Sequence, residues 1–144
     1  VQFDKGGDHY SERRTIADSL RDRIEIVPTG LDRIDPVTGR FRFGATEGDL
    51  REAARGLEAV RGLFRRNAHG LVILDELCTA VSLGLLEEAA AIEVLRGKPP
   101  SMELVVTGRG APASFLAMAD LVTEMRLVKH YFYRGDRARE GIDW

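Results

Sequence analysis

The stretch that decides the fold is Leu71-Val72-Ile73-Leu74-Asp75-Glu76, four apolar residues followed by two acids. A continuous apolar run of this length is typical of a strand that is buried on both faces, as in a parallel sheet. The acids would leave the sheet at the carboxyl end of that strand, where open α/β sheets bind their ligands. The stretch therefore predicts a parallel α/β sheet with Asp75 and Glu76 at its ligand-binding edge.

Helical and strand patterns alternate on either side of this stretch. Apolar residues recur at helical spacing over residues 50–64 and again over residues 85–95. Further runs predict strands at residues 1–3, 23–27, 103–106 and 121–128, and helices within residues 11–20 and 112–119. The alternation predicts an α/β fold with a mainly parallel sheet and helices on both faces, in a single domain over residues 1–144.

Composition and charge exclude several classes of function. The 144 residues carry a formal net charge of -2, which gives no overall attraction to nucleic acid or to an anionic membrane. No apolar run approaches the roughly 20 residues that span a bilayer. Cys78 is the single cysteine, so an internal disulfide is impossible and a reducing, cytoplasmic location is expected. The β-type start Val1-Gln2-Phe3 leads us to expect that the sequence begins inside a fold.

A glycine-containing loop, Thr107-Gly108-Arg109-Gly110, follows the predicted strand at residues 103–106. Glycine lets a backbone approach a ligand closely, and the planar fork of an arginine suits phosphate oxygens. A Gly-rich turn with a solvated arginine is the alternative interpretation. Because the ends of neighbouring parallel strands meet at one edge, this loop and the acids after Leu74 should converge on one crevice.

Four apolar residues followed by acids also match the Walker B pattern of P-loop nucleoside triphosphatases. In that pattern the aspartate holds Mg²⁺, which neutralises phosphate charge. Surface acids at the end of a buried strand are the alternative. The companion sequence G-x-x-x-x-G-K-[ST] does not occur in the printed residues, and Asp4-Lys5-Gly6-Gly7-Asp8 lacks its spacing. The three histidines lack the spacing of zinc ligands, and Cys78 is expected to be a small core residue.

Several segments, in their joint order, carry a resemblance to a known family. They are Val1-Gln2-Phe3-Asp4-Lys5-Gly6, Ser11-Glu12-Arg13, Leu74-Asp75-Glu76-Leu77, Thr107-Gly108-Arg109-Gly110, Ala119-Asp120-Leu121-Val122-Thr123-Glu124-Met125, Val128-Lys129-His130 and Gly141-Ile142-Asp143-Trp144. Their order and approximate spacing are similar to those of the ATP:corrinoid (cob(I)alamin) adenosyltransferases of the bacterial P-loop type. The resemblance covers almost the whole chain.

The resemblance implies a homodimeric transferase with a P-loop NTPase-like fold. Such an enzyme moves the 5′-deoxyadenosyl group of ATP to the Co(I) of a reduced corrinoid, in cobalamin biosynthesis or salvage. The nucleophile is then the cobalt of the substrate, so no catalytic side chain is predicted. Asp75 and Glu76 would serve Mg²⁺. The residues that would bind the nucleotide are Lys5, Thr107, Gly108 and Arg109.

Two departures from the family pattern matter. The family's P-loop strand, loop and helix would precede Val1, so the domain is expected to be N-terminally incomplete. The family usually carries Gly-Phe-x-Trp, whose aromatics press on the corrinoid, where this chain has Gly30-Leu31-Asp32-Arg33. Gly30, Leu31 and Arg33 would then face the corrinoid. The alternatives are a catalytically impaired nucleotide- or corrinoid-binding paralogue and another P-loop ATPase of similar topology.

Overall fold

A computed structural model describes residues 1–7, 10–33, 37–38, 40, 42, 44–136 and 139. The chain divides into two compact units. The first contains Val1–Gly6 and Ile26–Met118, and the second contains Gly7–Glu25 and Ala119–Trp144. No helix of the described residues has the length and apolar character needed to cross a bilayer.

A small parallel sheet forms the centre of the first unit. Strand β1 (Leu71–Leu74) pairs with strand β2 (Glu103–Val106), with Leu71 opposite Glu103 and Leu74 opposite Val106. On the other side of β1, Gln2 makes parallel bridges to both Asp75 and Pro28. The order across the sheet is therefore β2, β1, the segment around Gln2 and the segment around Pro28. The predicted parallel α/β arrangement is confirmed.

Helix α2 (Glu47–Arg66) is the longest helix in the described part of the chain. It begins with a capping box, in which the Thr46 hydroxyl accepts from the Asp49 N–H while the Asp49 carboxylate accepts from the Thr46 N–H. It ends at Asn67, whose left-handed backbone donates its N–H to the Leu63 carbonyl. The helix buries an apolar face in the core, consisting of Ala53, Leu57, Val60, Leu63 and Phe64.

Three helices follow α2 in the first unit. They are α3 (Leu77–Ser82), α4 (Glu88–Arg96) and α5 (Ala113–Met118). The sequence pattern missed α3, and it placed the start of α4 at Leu85, which is too early. Leu85 instead lies buried in the connection, where its N–H donates to the Ala80 carbonyl at the end of α3. Periodicity alone could not separate a buried turn from a helix.

The core lies on one face of the sheet. Val72 and Leu74 of β1 are buried against apolar residues from α2, α3 and α4. On the opposite face Leu71, Ile73 and Val105 are exposed. In the described residues helices therefore cover one face of the sheet, these three side chains have no such cover, and helices on both faces stay a prediction. Burial alternates along β1 because successive side chains point to opposite faces.

Two of the predicted strands do not form. Leu121, Met125 and Val128 of the segment predicted as a final strand are 85%, 91% and 93% exposed, and residues 121–128 form neither strand nor helix. Without a neighbour to pack against, a β-type sequence does not become a strand. The run at residues 23–27 is not a strand either. The Ile24 N–H donates to the Leu20 carbonyl in a turn, and at the other end of the run the Val27 carbonyl accepts from the Gln2 N–H beside an isolated bridge.

The second unit contains helix α1 (Ser11–Ser19) and a 3₁₀ helix (Tyr131–Arg134). The prediction of helix within residues 11–20 is confirmed. Neither helix contains a buried residue. Gly141-Ile142-Asp143-Trp144, part of the resemblance, lies outside the described residues.

Candidate functional site

Four segments of the first unit end at the same edge of the sheet. The N–H of Phe3 donates to the Asp75 carbonyl (2.9 Å) and the N–H of Lys5 to the Thr29 carbonyl (3.0 Å). The N–H of Thr107 donates to the Leu74 carbonyl (3.1 Å). Since all the pairings are parallel, the residues that follow them gather at the carboxyl end of the sheet. The predicted convergence of the acids and the glycine loop is confirmed.

Asp75 is the centre of this edge. Its Oδ2 lies 2.6 Å from the Lys5 ammonium, and its Oδ1 accepts a hydrogen bond from the Thr107 hydroxyl (2.9 Å). Burial alone would raise the pKa of the Asp75 carboxyl, but the hydrogen bonds and the charge of Lys5 outweigh burial, so its pKa lies below the ordinary value. Asp75 is therefore ionised at neutral pH and paired with a predicted nucleotide-binding lysine.

Glu76 joins the two loops at this edge. Its backbone is left-handed (φ 62°), and its N–H donates to the Thr107 hydroxyl oxygen (3.1 Å). Its carboxylate accepts a hydrogen bond from the Thr79 hydroxyl, whose oxygen accepts in turn from the Arg109 N–H (2.8 Å). The acid pair and the glycine loop are thus fixed to each other by two threonine side chains.

Gly108 is required by the close approach of the two loops. Its φ of +130° lies in the region that favours glycine, and a Cβ there would lie 2.7 Å from the Thr79 nitrogen and 3.0 Å from the Cys78 Cβ. Cys78 is buried, and this burial raises the pKa of its thiol. The expectation that Cys78 is a core residue is confirmed.

Arg109 is the exposed positive group of the glycine loop. Its backbone is held by Thr79, but within the described part of the chain its guanidinium makes no hydrogen bond or ion pair. Arg109 therefore has a fixed backbone and a side chain that is available to an anion. The structure places it after β2, next to the strand that carries Asp75.

Gly30 packs directly against the segment that carries Lys5. A Cβ at Gly30 (φ +120°) would lie 2.7 Å from the Lys5 nitrogen and 2.8 Å from the Asp4 Cα. The N–H of Gly30 donates to Glu52 of α2 (3.1 Å). Its backbone thereby ties the sheet edge to the helix. Of the three residues predicted to face a corrinoid, Leu31 is exposed.

Arg33 is turned inward. Its guanidinium contacts Asp4 Oδ1 (2.8 Å) and donates to the Gly44 carbonyl (2.9 Å). The side chains of Arg33 and Asp4 are only 9% and 13% exposed. Sequence reasoning missed Asp4 and Thr79 as residues that organise this edge, since both act through tertiary contacts that no local pattern encodes.

The acid pair is suited to a metal ion that arrives with a ligand. Among the described residues there is no group of three or more His, Cys, Asp or Glu side chains that could hold a metal ion. Asp75 and Glu76 supply two carboxylates, and Mg²⁺ is commonly held by one or two carboxylates together with substrate phosphates. The two carboxylates thus suit a Mg²⁺ ion that is bound together with the phosphates of a nucleotide. Within the described residues they do not form a complete set of metal ligands.

The fold and the candidate site define an α/β protein with charged residues gathered at the carboxyl edge of a parallel sheet. Residues 1–144 match the family model described as ATP:corrinoid adenosyltransferase BtuR/CobO/CobP, and the chain belongs to this family. The family resemblance seen in the sequence is thereby confirmed.

Several relatives are named corrinoid adenosyltransferases. One from Sinorhizobium sp is 31% identical over 145 residues, which cover 100% of this chain and 65% of the relative. One from Pseudomonas aeruginosa is 44% identical over 96 residues, 67% of this chain and 47% of the relative. A third, from Salmonella typhimurium, is 39% identical over 74 residues, 51% of this chain and 38% of the relative. The chain thus spans less than two thirds of the length of these relatives.

Proposed function

We propose that this chain belongs to an enzyme that transfers the 5′-deoxyadenosyl group from ATP to the Co(I) of a reduced corrinoid. The observation that supports this most strongly is the family match over residues 1–144. The gathering of Lys5, Asp75, Glu76 and Arg109 at one edge supports it independently, because a triphosphate needs both cations and carboxylate-held Mg²⁺.

The nucleotide would be bound at the edge formed by Lys5 and the glycine loop. Arg109 offers a guanidinium with no internal partner among the described residues, and Gly108 leaves no side chain between the backbone and a ligand. Thr107 holds the Asp75 carboxylate in place by its hydroxyl. These residues would orient the triphosphate, which acts as the leaving group of the transfer.

Asp75 and Glu76 would hold a Mg²⁺ that neutralises the negative charge of the leaving phosphates. Because the nucleophile is the cobalt of the corrinoid substrate, the protein has to orient the two substrates and exclude water from them. Exposed Leu31 is the residue of the 30–33 segment that supplies apolar surface to a corrinoid. Gly30 and Arg33 would shape that surface from beneath.

Several features of this proposal stay predictions. They are a P-loop NTPase-like fold with helices on both faces of the sheet, a homodimer and a cytoplasmic location. The arrangement of residues 1–144 as a single domain is also a prediction. An impaired binding paralogue stays the alternative, and the Arg33–Asp4 ion pair is the observation that favours it, because it removes one expected corrinoid contact.

The activity is tested with the natural protein that contains this chain. The protein is mixed with ATP, Mg²⁺ and chemically reduced cobalamin, and adenosylcobalamin is followed by its absorbance. We expect product that depends on all three components. ATP hydrolysis without adenosylcobalamin would point to another ATPase, and nucleotide binding without either product would point to the impaired paralogue.

The role of Arg109 is tested by Arg109→Ala. We expect the dissociation constant for ATP to rise about tenfold or more, because a charge-assisted hydrogen bond to phosphate is lost. Arg96→Ala is the matched control: Arg96 is exposed at the end of α4, ahead of β2 and hence near the opposite edge of the sheet. Isothermal titration of the two variants gives the comparison. Equal dissociation constants would remove Arg109 from the site.

A further inference from the structure

The ion pair between Arg33 and Asp4 lies immediately beside the residue that contacts Asp75. Asp4 precedes Lys5 in the chain, and its backbone is left-handed, with φ of 53°. A left-handed conformation is disfavoured for most residues with a Cβ, so contacts with the surroundings help to hold this turn. The Arg33 guanidinium supplies that support through Nε and Nη2, both 2.8 Å from Asp4 Oδ1.

The backbones on either side of this ion pair are in direct contact. A Cβ at Gly6 would lie 2.0 Å from the Leu31 carbonyl carbon and 2.2 Å from the Asp32 nitrogen. A Cβ at Gly30 would also be too close to this backbone, at 2.7 Å from the Lys5 nitrogen and 2.8 Å from the Asp4 Cα. Since neither glycine leaves room for a side chain, a displacement of the 30–33 segment has to displace the turn that carries Lys5.

We propose that Arg33 is a positioning residue, which fixes through Asp4 the turn from which Lys5 reaches Asp75. The Lys5 ammonium lies 2.6 Å from Asp75 Oδ2, and a fixed backbone at residues 4–6 keeps it within this reach. The largely buried Arg33–Asp4 pair contacts this backbone segment, and the Arg33 guanidinium is held in turn by its hydrogen bond to the Gly44 carbonyl. Arg33 acts on the charged edge without facing its ligand. The inference rests on the proposed function only for its consequence, which is the presentation of Lys5 to a nucleotide.

The test measures how readily the Lys5 amine is acylated in each variant. Wild type, Arg33→Gln, Arg33→Lys and Asp4→Asn are treated briefly with a limiting amine-acylating reagent, and labelling of Lys5 is quantified by peptide mass spectrometry. An ammonium bound to a carboxylate is shielded from the reagent. We expect Lys5 labelling to rise up to about fivefold in Arg33→Gln and Asp4→Asn, the range set by a partly exposed ion pair. Arg33→Lys keeps the charge and should give an intermediate rise.

Lys98 provides the internal reference. Its ammonium donates to the Met102 carbonyl (2.8 Å) and the Pro99 carbonyl (3.3 Å), contacts that do not involve Arg33. We expect its labelling to stay constant in all variants. A parallel rise at Lys98 would mean general loosening and would overturn the positioning role. Unchanged labelling of Lys5 in Arg33→Gln would overturn it too, and if Arg33→Gln does not fold, Asp4→Asn decides, since asparagine tolerates left-handed backbone.

A second arm separates this inference from the proposed function. Wild-type protein is labelled with and without ATP and Mg²⁺, and protection of Lys5 is expected if it lines the nucleotide site. Absence of protection together with a rise in Arg33→Gln would leave the positioning role supported and remove Lys5 from the nucleotide site. Because the first arm contains neither ATP nor corrinoid, its outcome does not depend on transferase activity.

Discussion

At the scale of single residues, Asp49 is a buried carboxylate that accepts hydrogen bonds from both Arg42 and Thr46. It is 2% exposed, and its two carboxylate oxygens each lie 2.8 Å from the Arg42 guanidinium. The Thr46 N–H and hydroxyl also donate to it. The hydrogen bonds from Arg42 outweigh the effect of burial and hold the pKa of the Asp49 carboxyl far below its ordinary value.

We predict that Asp49→Asn lowers the free energy of unfolding by about 2–4 kcal/mol at neutral pH, since it removes one partner of a largely buried ion pair and part of a helix cap. The depressed pKa means that the ionised carboxylate stabilises the protein above the ordinary carboxyl pKa. This contribution is lost as the pH falls toward the folded-state pKa. The difference between wild type and variant should therefore shrink below about pH 4.

Urea unfolding at several pH values measures this difference. Thr46→Ala is the control, because it removes the cap hydroxyl but leaves the Arg42–Asp49 pair, and it should cost about 1 kcal/mol. A pH-independent difference between wild type and Asp49→Asn would contradict the prediction. Thr46 and Asp49 have the three-residue spacing of a capping box, which is a local pattern, whereas no local pattern specifies Arg42 as the partner of Asp49.

At the scale of elements, α2 is held against the sheet through a glycine. A Cβ at Gly56 would lie 2.5 Å from Phe3 Cε1 and 2.9 Å from the Thr29 hydroxyl oxygen. Phe3 is fully buried, and Thr29 donates its hydroxyl to the Gln2 carbonyl. The helix therefore approaches the central segments as closely as its own backbone allows.

We predict that Gly56→Ala destabilises the protein by about 1–2 kcal/mol, because the strain of overpacking exceeds the gain in helix propensity. Gly62→Ala, in the same helix, should stabilise it by up to about 1 kcal/mol, because nothing but the ends of two arginine side chains lies near its Cβ. Thermal unfolding followed by circular dichroism compares the two variants. A stabilised Gly56→Ala would show that α2 can move away from Phe3.

Elements were predictable from the sequence to unequal degrees. The periodic pattern of Leu57, Val60 and Phe64 located α2 because a long amphipathic helix is encoded locally. The run Leu71–Leu74 located β1 for a similar reason, since four consecutive apolar residues leave few alternatives. The segment 121–128 is less apolar, since Glu124 and Arg126 interrupt it, and it remains exposed, because strand formation depends on a partner that lies elsewhere in the chain.

At the scale of the whole molecule, the sequence predicted that the acid pair and the glycine loop lie at one edge of the sheet. It did not predict the hydrogen bonds that connect them. Parallel topology alone brings Asp75 and Thr107 to one edge. The threonine hydrogen bonds between the loops and the inward turn of Arg33 depend on side-chain geometry across 29 to 32 residues of chain, and local patterns do not contain it. Lys5, which the family resemblance assigns to the nucleotide site, lies beside Asp75.

We predict that limited chymotrypsin digestion cuts first within residues 121–133. Leu127, Phe132 and Tyr133 are exposed there, and residues 119–130 contain neither helix nor strand. The peptide bonds after Leu57, Leu63 and Phe64 of α2 should resist, because these side chains are buried in the core. Intact-mass spectrometry of early time points identifies the first fragment. Initial cleavage inside α2 would contradict the distribution of burial described above.

The parallel order of the sheet has a consequence for how the chain folds. The Val1 nitrogen donates to the Ile73 carbonyl across 72 residues, and the Lys5 ammonium contacts Asp75 across 70. Closing such long loops is entropically costly and slow, while α2 with its own caps can form from local contacts alone. We therefore expect the Lys5–Asp75 contact among the last to appear during refolding. The charged edge then forms only in molecules that have completed the sheet, which makes it a natural reporter of the folded state.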